Sequence, residues 1–448
     1  MSPLRPIDPS MSDLLRSDRR GKGSRWHRSG HRAETDQKQS PSTPMDRLYH
    51  GAALMYIAAI PLDEFAPIPG RSLAAMAGVL LLATWILCRL RLGATTVERR
   101  SGSQRAVIFL SLMLLLWAAV VTVQGVQSGV SVVLLIATWV PLALTVPALS
   151  TALVGREGRG FIVYIVSTSI LSLMVSYAII TSGGSLAGRR FTALSLNANE
   201  AAMMMAIGVG FAAVLCQRRQ GWARVALLVL AGVGVMGVLA TGSVTGLFSL
   251  MVVGVVSIVV AIKRDGAVGI RSLSFATASV VAAAALASVS IAFFPARLQR
   301  SFDLVQAGQL SGRERIWDAV LQSELIWEPL GVGLGASRFA LEPWLNSVRP
   351  PHNSWIELGI EQGLFGLLIG CVLLLAVFAA ALKSAYRDFL LCALLVALVF
   401  MTTTDLWRSK VLWLVLAFAV VPSVPLLTEQ APKYRTRKRA STSARKAR

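Results

Sequence analysis

His352, one of four histidines in the chain, lies beside Asn353 where a polar stretch turns into an apolar run. Ser354 and Glu357 have the spacing of a helix capping box, which predicts that His352 lies just before the N-terminus of a helix. The field at a helix N-terminus favours anions and disfavours a proton on a nearby imidazole. A neutral imidazole can bind a hydroxyl group or accept its proton. The alternative is a histidine that only caps the helix.

Two arginines, Arg189 and Arg190, precede a second predicted helix start. Asn199 is well placed to cap that helix, with Glu200 in its first turn. Guanidinium groups at this place can bind phosphate oxygens through two parallel hydrogen bonds. The alternative is that both side chains only anchor a helix end at the membrane surface.

A third stretch carries Arg313 and Arg315 at the start of a helix predicted to begin at Ser311 or Gly312 and to end at Pro329. A cation in the first turn opposes the helix dipole, so a purely structural residue there would more often be acidic. Arg313 therefore indicates ligand binding, and an exposed, solubilising arginine is the alternative. The apolar residues at helical spacing, which favour a helix at the membrane interface, are Ile316, Trp317, Val320, Leu321 and Trp327.

The composition shows what kind of scaffold holds these residues. The chain has 448 residues, of which 54% are hydrophobic and only 15% are charged, too few to cover a soluble protein. Its apolar runs are about 20 residues long, the length of a membrane-spanning helix, and they lack the alternation of a membrane β-barrel. The about twelve candidate spans are roughly 48–62, 72–90, 106–124, 130–149, 161–181, 200–216, 225–240, 246–262, 273–294, 355–382, 388–402 and 411–428.

The formal charge of +21 first suggests a nucleic-acid binder, but the cations gather in the two tails and in alternate short loops. That distribution is the positive-inside pattern of membrane proteins, so no nucleic-acid partner is predicted. With about twelve spans, every basic loop and both termini fall on the cytoplasmic side, and the tails are expected to contact membrane lipids. The predicted outward loops are 63–71, 125–129, 182–199, 241–245, 295–354 and 403–410.

The predicted organisation follows from these spans. It comprises a disordered basic tail over 1–47, transmembrane helices over 48–294, a large outward loop with an interfacial helix over 295–354, further transmembrane helices over 355–428, and a basic tail over 429–448. The cysteines Cys88, Cys216, Cys371 and Cys392 all fall in apolar runs, so no disulfide framework is implied.

All three candidate stretches face outward in this topology, next to the bilayer. Arginines placed against the insertion bias need a reason, and paired guanidinium groups suit phosphate oxygens. The arrangement implies a ligand with a pyrophosphate at the membrane surface and a group that must lose a proton. The glycine-rich stretch 331–335 follows a helix and is not taken as a dinucleotide-binding fingerprint, because a tight turn or a close backbone approach explains it.

At these residues the sequence resembles the superfamily of O-antigen ligases and O-antigen polymerases, most clearly over about 190–382. The resemblance lies in Arg190 nine residues before Asn199, in GRERIW over 312–317, in PLGVGLG over 329–335, and in His352–Asn353 followed by EQGLFG over 361–366. It implies an all-α, multi-span glycosyltransferase of the GT-C type with a large periplasmic loop, in the bacterial inner membrane.

The resemblance also implies the chemistry. Such enzymes use an undecaprenyl-pyrophosphate-linked glycan as donor, need no metal or other cofactor, and invert the anomeric centre. By resemblance, Arg190 and Arg313 hold the pyrophosphate, with Arg189 and Arg315 beside them, and His352 binds or deprotonates the acceptor hydroxyl. Candidate contacts to the glycan or acceptor are Asn353, Arg338, Asp405 and Arg408.

Two positions depart from the family pattern. Val244 stands in the loop 241–246, where many relatives carry a basic residue. Binding of the donor is therefore expected to differ from that in these relatives. Ala193 occupies a position where a glycine is common.

The sequence also leaves the identity of the acceptor open. Polymerisation of an exopolysaccharide or O-antigen-type polysaccharide is predicted, because no soluble acceptor-recognition domain is evident, and transfer to a lipid A core is the alternative. Other polysaccharide assembly proteins are possible partners.

Two other classes of protein compete with this interpretation. A metal-dependent transferase could use Asp63 and Glu64 in the first outward loop, since carboxylates suit Mg²⁺ or Mn²⁺, but a capped turn is favoured there. A transporter or flippase would more often show internal repeats and charged helices, whereas the spans here hold almost no charge.

Overall fold

The computed structural model describes residues 43–63, 72–92, 100–124, 128–181, 197–265, 313–346, 348 and 350–422. Within these ranges the chain forms helices and short connections and no strand, which confirms the predicted all-α fold. A helix satisfies its own backbone hydrogen bonds, as an apolar segment in lipid must. Most of both predicted tails and the predicted span 273–294 lie outside the described residues.

The described helices follow the apolar runs. They are α1 Pro44–Ala59, α2 Leu73–Leu92, α3 Gly102–Gln124, α4 Ser128–Leu134, α5 Val140–Ala152, α6 Glu157–Thr181, α7 Ala198–Arg218, α8 Trp222–Thr241, α9 Val244–Asp265, α10 Arg313–Ser323, α11 Ser337–Ala340, α12 Glu342–Leu345, α13 Ser354–Lys383, α14 Arg387–Met401 and α15 Lys410–Val420. A π-helical turn, Leu135–Trp139, joins α4 to α5. Because Pro141 has no N–H, the helix widens before it, and the Val140 N–H bonds to the carbonyl of Leu135, five residues back.

Eight of the described segments are long and apolar enough to cross a membrane. They are Leu73–Leu90, Gly102–Gln124, Ser131–Ala152, Glu157–Ala178, Ala198–Arg218, Trp222–Thr241, Val244–Lys263 and Ser354–Lys383. Three other apolar helices are shorter, with 16 residues in α1, 15 in α14 and 11 in α15. The chain is therefore a multi-pass membrane protein, while the count of about twelve spans stays a prediction.

Helix α7 lies at the centre of the bundle. Its apolar segment is 78% buried, against at most 50% for the other candidate spans, and it packs against α6, α8, α9 and α14. Small residues permit this approach, since a Cβ on Gly208 would lie 2.2 Å from Thr168 Oγ1 and one on Gly237 would lie 2.4 Å from Met205 Sδ. Helices in lipid associate through such close packing rather than through a hydrophobic driving force.

The described side-chain contacts divide the loops into two groups. One group contains Asp63 with Lys410, Glu200 with Ser409, Asn199 with Ser243, Asn353 with Thr402 and Ser131 with Leu334, and is called here the His352 end. The other contains Arg218 with Asp388, Glu157 with Tyr386 and Arg100 with Ser150, and is called the Asp388 end. Outward-predicted loops thus contact one another, as do basic loops, which fits alternate crossings of one membrane. Which end faces the periplasm stays a prediction.

The predicted helix with Arg313 at its start is shorter than the sequence suggested. Helix α10 ends at Ser323 instead of running to Pro329, because Glu324 adopts a positive φ of 56° and a 3₁₀ turn follows. Ile316 and Val320 are buried, as their spacing predicts, but Trp327 is 63% exposed and lies beyond the helix. Leu321, beside this face, is 67% exposed. The predicted apolar face is therefore buried at Ile316 and Val320 but not at Leu321 or Trp327.

Candidate active site

His352 lies in the turn that leads into α13, as the sequence predicted. Its backbone has a positive φ of 53°, which a non-glycine residue rarely adopts and which the surrounding contacts must hold. The helix cap is Asn353, whose side-chain oxygen accepts hydrogen bonds from Trp355 N at 3.0 Å and Ile356 N at 3.3 Å. The predicted capping box is wrong, because the cap lies one residue before Ser354.

The loop between α14 and α15 holds this turn from outside. The Ser354 hydroxyl donates to Thr404 O at 2.6 Å and accepts from Leu406 N at 2.9 Å. Trp407 Nε1 donates to Ser354 O at 3.1 Å. Ser354 is fully buried, so these bonds satisfy polar groups that water does not reach. The first residue of α13 is therefore fixed to a loop about 50 residues later in the chain.

Arg408, at the end of the same loop, reaches three carboxylates. Its Nη2 lies 3.1 Å from Glu357 Oε1 and forms a close ion pair with Glu361 Oε2, while its Nε lies 3.4 Å from Asp405 Oδ2. Glu357 and Glu361 are four residues apart, on one face of α13, and their side chains are 5% and 3% exposed. Three carboxyl groups share one guanidinium, and burial raises the pKa of Asp405 above its usual value.

Helix α13 is broken at Gly363, which has φ 68° and ψ −174°. The stretch 328–333 inserts into the break and takes up the freed backbone groups. The bonds run from Val332 N to Ile360 O (2.9 Å), from Gly333 N to Glu361 O (3.0 Å) and from Leu364 N to Glu328 O (2.9 Å). A Cβ on Gly331 would lie 2.4 Å from Gly363 N, so both glycines are needed for the approach. The predicted close backbone approach of the glycine-rich stretch is confirmed.

A small apolar cluster brings α10 to the His352 helix. Its buried members are Ile316, Val320, Leu341 and Ile360, and Ile356 packs against them. Arg313 is the first residue of α10, one turn before Ile316, and Arg315 is exposed on the same helix. His352 lies four residues before Ile356, in the turn that leads into α13. The predicted pyrophosphate-binding helix and the predicted histidine therefore belong to one part of the fold.

The structure describes some of the remaining predicted site residues and not others. Arg189 and Arg190 lie outside the described residues, so their place in the site stays a prediction. Arg338 is exposed, and its guanidinium carbon lies 4.7 Å from the centre of the Phe339 ring. The glycan contacts assigned to Asn353, Asp405 and Arg408 also stay predictions, although all three have protein partners in the structure.

Residues 229–371 match the family model described as O-antigen ligase. This part of the chain is similar to that family, which supports the O-antigen ligase and polymerase superfamily. The matched range runs from α8 into α13 and includes α10, the inserted glycine-rich stretch and the His352 turn. The resemblance stated from the sequence is thereby confirmed. Comparison with curated proteins and with solved structures gave no match.

Sequence reasoning missed the residues that support the site. It used Glu357 only as a capping residue and gave no role to Glu361 or to Ser337, whose hydroxyl donates to Glu361 Oε1 at 2.8 Å. The available signal was a pair of carboxylates four residues apart at the start of a long apolar helix, where charge is costly without a partner. That the partner is Arg408 depends on the tertiary fold.

The second candidate stretch also required a correction. Asn197, not Asn199, caps α7, since its side-chain oxygen accepts a hydrogen bond from Asn199 N at 3.0 Å. The Asn199 side chain instead accepts from Ser243 Oγ at 2.7 Å. This bond ties the start of α7 to the loop in which Val244 departs from the family pattern.

The carboxylate proposed for a metal-dependent alternative has protein partners. Asp63 Oδ1 accepts hydrogen bonds from Ser72 Oγ at 2.5 Å and Ala74 N at 2.7 Å, and Asp63 Oδ2 forms an ion pair with Lys410. These contacts fit the capped turn that the sequence favoured at this place. Glu64 lies outside the described residues.

Proposed function

We propose that this chain is an inverting, metal-independent glycosyltransferase. It moves a glycan from undecaprenyl pyrophosphate to an acceptor hydroxyl at the periplasmic face of the bacterial inner membrane. The observation that supports the proposal is that the range matching the O-antigen ligase family contains both α10 and the His352 turn. Helix α10 packs in one apolar cluster with the first turns of α13, the helix that the His352 turn leads into. An arginine at a helix start and a histidine at a helix start are suitable groups for a pyrophosphate and a hydroxyl.

The proposed reaction is a single displacement. The acceptor oxygen attacks the anomeric carbon opposite the pyrophosphate, and the bond from that carbon to the pyrophosphate oxygen breaks with its electron pair on the oxygen. His352 takes the hydroxyl proton. Arg190 and Arg313, with Arg189 and Arg315 beside them, neutralise the charge that grows on the leaving undecaprenyl pyrophosphate. Contacts that strengthen as charge develops lower the barrier.

We propose polymerisation as the form of this transfer, with a second lipid-linked glycan as the acceptor. The support is the sequence argument that membrane spans and short loops occupy most of the chain outside 295–354. Transfer to a lipid A core is the alternative within the same family. In either case Asn353, Arg338 and Asp405 are the candidates for contacts to the glycan.

The test is a transfer assay with the purified protein in lipid vesicles and an undecaprenyl-pyrophosphate-linked repeat unit. Elongation of the glycan supports polymerisation, whereas transfer only after addition of a lipid A core supports ligation. Movement of the donor across the vesicle membrane without transfer would overturn the proposal in favour of a transporter. Loss of transfer in EDTA, restored by Mn²⁺, would overturn the metal-independent mechanism.

Site variants test the assigned roles in the same assay. His352→Ala and Arg190→Ala are expected to abolish transfer while the protein still inserts into the membrane. The matched control is Arg387→Ala, because Arg387 is half exposed at the Asp388 end and its ion pair among the described residues is with the neighbouring Asp388. Normal transfer by His352→Ala would show that another group accepts the proton.

A further inference from the structure

We propose that Arg408 is a positioning residue that fixes the His352 turn relative to the helix that begins with Arg313. The inference rests on the proposed function for its effect on activity and on the fold alone for its effect on distances. The Arg408 guanidinium binds the carboxylates of Glu357 and Glu361. Through a few further contacts, the first carboxylate is connected to the His352 turn and the second to the helix of Arg313.

The first path runs from Arg408 to the histidine turn. Glu357 N donates to Asn353 O at 2.9 Å, so Glu357 closes the first turn of α13. Arg408 Nη2 holds the Glu357 carboxylate at 3.1 Å. The loop that ends in Arg408 also binds Ser354 through both its hydroxyl and its carbonyl. A strained φ at His352 persists only where the surrounding structure determines it, and these contacts hold the residues that directly follow His352.

The second path runs from Arg408 to α10. Glu361 Oε2 pairs with Arg408, and Glu361 Oε1 accepts the Ser337 hydroxyl at 2.8 Å. Ser337 begins the short helix α11, which leads to Leu341. Leu341 is buried in the same apolar cluster as Ile316 and Val320 of α10. The Glu361 carboxylate therefore connects the loop of Arg408 to the segment on which the Arg313 helix packs.

The geometry favours positioning over direct ligand contact. Three carboxylates have an oxygen within 3.4 Å of an Arg408 guanidinium nitrogen, so a pyrophosphate or a sugar would have to compete with them for this group. A planar guanidinium can bind several carboxylates at fixed angles, which the single ammonium group of a lysine cannot reproduce. Replacing the guanidinium by an ammonium group keeps the charge but should weaken the contacts to Glu357 and Glu361. No substrate contact is removed by this change.

Arg408→Lys tests this in the transfer assay. We expect turnover per folded enzyme to fall on the order of 100-fold, as misplacement by about 1 Å does in other enzymes. We expect the KM for the glycan donor to stay within about twofold of the unchanged protein. Arg387→Lys is the matched control and is expected to change neither value. A large rise in KM with unchanged turnover would overturn the proposal, because it would indicate direct contact with the substrate.

A distance measurement tests the same idea without activity. Spin labels on cysteines placed at Gln322, exposed on α10, and at Thr402, exposed in the loop of Arg408, report the separation of the two paths. The unchanged protein should give one narrow distance distribution, and Arg408→Gln should broaden or shift it. If Arg408→Gln does not fold, Ser337→Ala removes only one hydrogen bond and should give a smaller broadening in the same direction.

The outcomes separate the two proposals. A narrow, unshifted distribution in both variants would overturn the positioning role, whatever the activity. A broadened distribution in a protein that transfers no glycan from undecaprenyl pyrophosphate would support the positioning role and overturn the proposed function instead.

Discussion

The two polar ends of the helix bundle are built on different principles. At the His352 end, Arg408 lies among three carboxylates, two of them almost fully buried, and His352 adopts a strained backbone conformation. At the Asp388 end, Arg218 pairs with Asp388 at 3.1 Å, with 35% of the arginine side chain exposed, and Arg387 is more exposed still. Exposed pairs contribute little free energy, whereas buried charges destabilise unless several partners satisfy them.

The difference between the two ends shows where the fold contains energetically unfavourable features. Positive φ at a non-glycine residue, a broken apolar helix and buried charge are each unfavourable by themselves. At the His352 end they occur together, within the range that matches the O-antigen ligase family. Such features concentrate at functional sites because they hold reacting groups in place. The Asp388 end carries exposed basic residues, which suit a membrane boundary.

The largest expected effect is that of Gly363→Ala. A Cβ at this position would lie 2.4 Å from Pro329 O and 2.5 Å from Gly331 N, and φ is 68°. We expect a loss of more than about 4 kcal/mol in the free energy of unfolding, because backbone cannot move aside as a side chain can. The measurement is the yield of monodisperse protein in detergent and its thermal unfolding.

The control is another glycine in a membrane span. Gly254 in α9 has no neighbouring atom within 4 Å of an added Cβ, so Gly254→Ala should leave stability unchanged or raise it by up to about 1 kcal/mol. Equal losses from both substitutions would mean that the broken helix has no special requirement for glycine.

Arg313→Lys is expected to have the next largest effect, on activity alone. Lysine keeps the charge at the start of α10 but lacks the fork that binds two phosphate oxygens. We expect transfer to fall about 100- to 1,000-fold, in the range for loss of one donor to a developing charge. Arg219→Lys, at an exposed arginine that follows α7, should transfer glycan normally. Normal activity in Arg313→Lys would remove this arginine from the pyrophosphate site.

The sequence predicted the fold class and the helix start at His352, because apolar length and cap residues are local signals. It indicated the family only through the resemblance of its motifs. The sequence-based prediction was wrong where a side chain with a local capping pattern instead bonds to a residue far away in the chain. Ser354 matched a capping box, yet its hydroxyl bonds to a loop about 50 residues later. Asn199 matched a cap, yet its side chain bonds to Ser243. Arg408 was noticed as a polar residue in an outward loop, but its carboxylate partners depend on how that loop packs against α13.

The pH dependence of stability tests the burial of charge at the His352 end. Burial raises the pKa of Asp405, which faces Arg408, Glu357 and Glu361. A raised pKa in the folded state means that the folded form binds the proton more tightly, so stability is lost as pH rises through that value. Relative to Asp405→Asn, which does not titrate there, the unchanged protein should lose thermal stability as pH rises above 3.8. A constant difference between the two proteins across that window would contradict the burial of this carboxyl group.

The smallest expected effect is that of Arg218→Gln at the Asp388 end. The ion pair with Asp388 is partly exposed, so its loss should cost under about 1 kcal/mol and less still in high salt, where exposed charges are screened. Arg408→Gln leaves buried carboxylates without their cation and should cost about 3–5 kcal/mol, with little dependence on salt. The measurement is thermal unfolding of both variants at low and high ionic strength. Because the two substitutions remove the same side chain, similar losses with the same salt dependence would mean that burial does not distinguish the ends, and the contrast between them would fail.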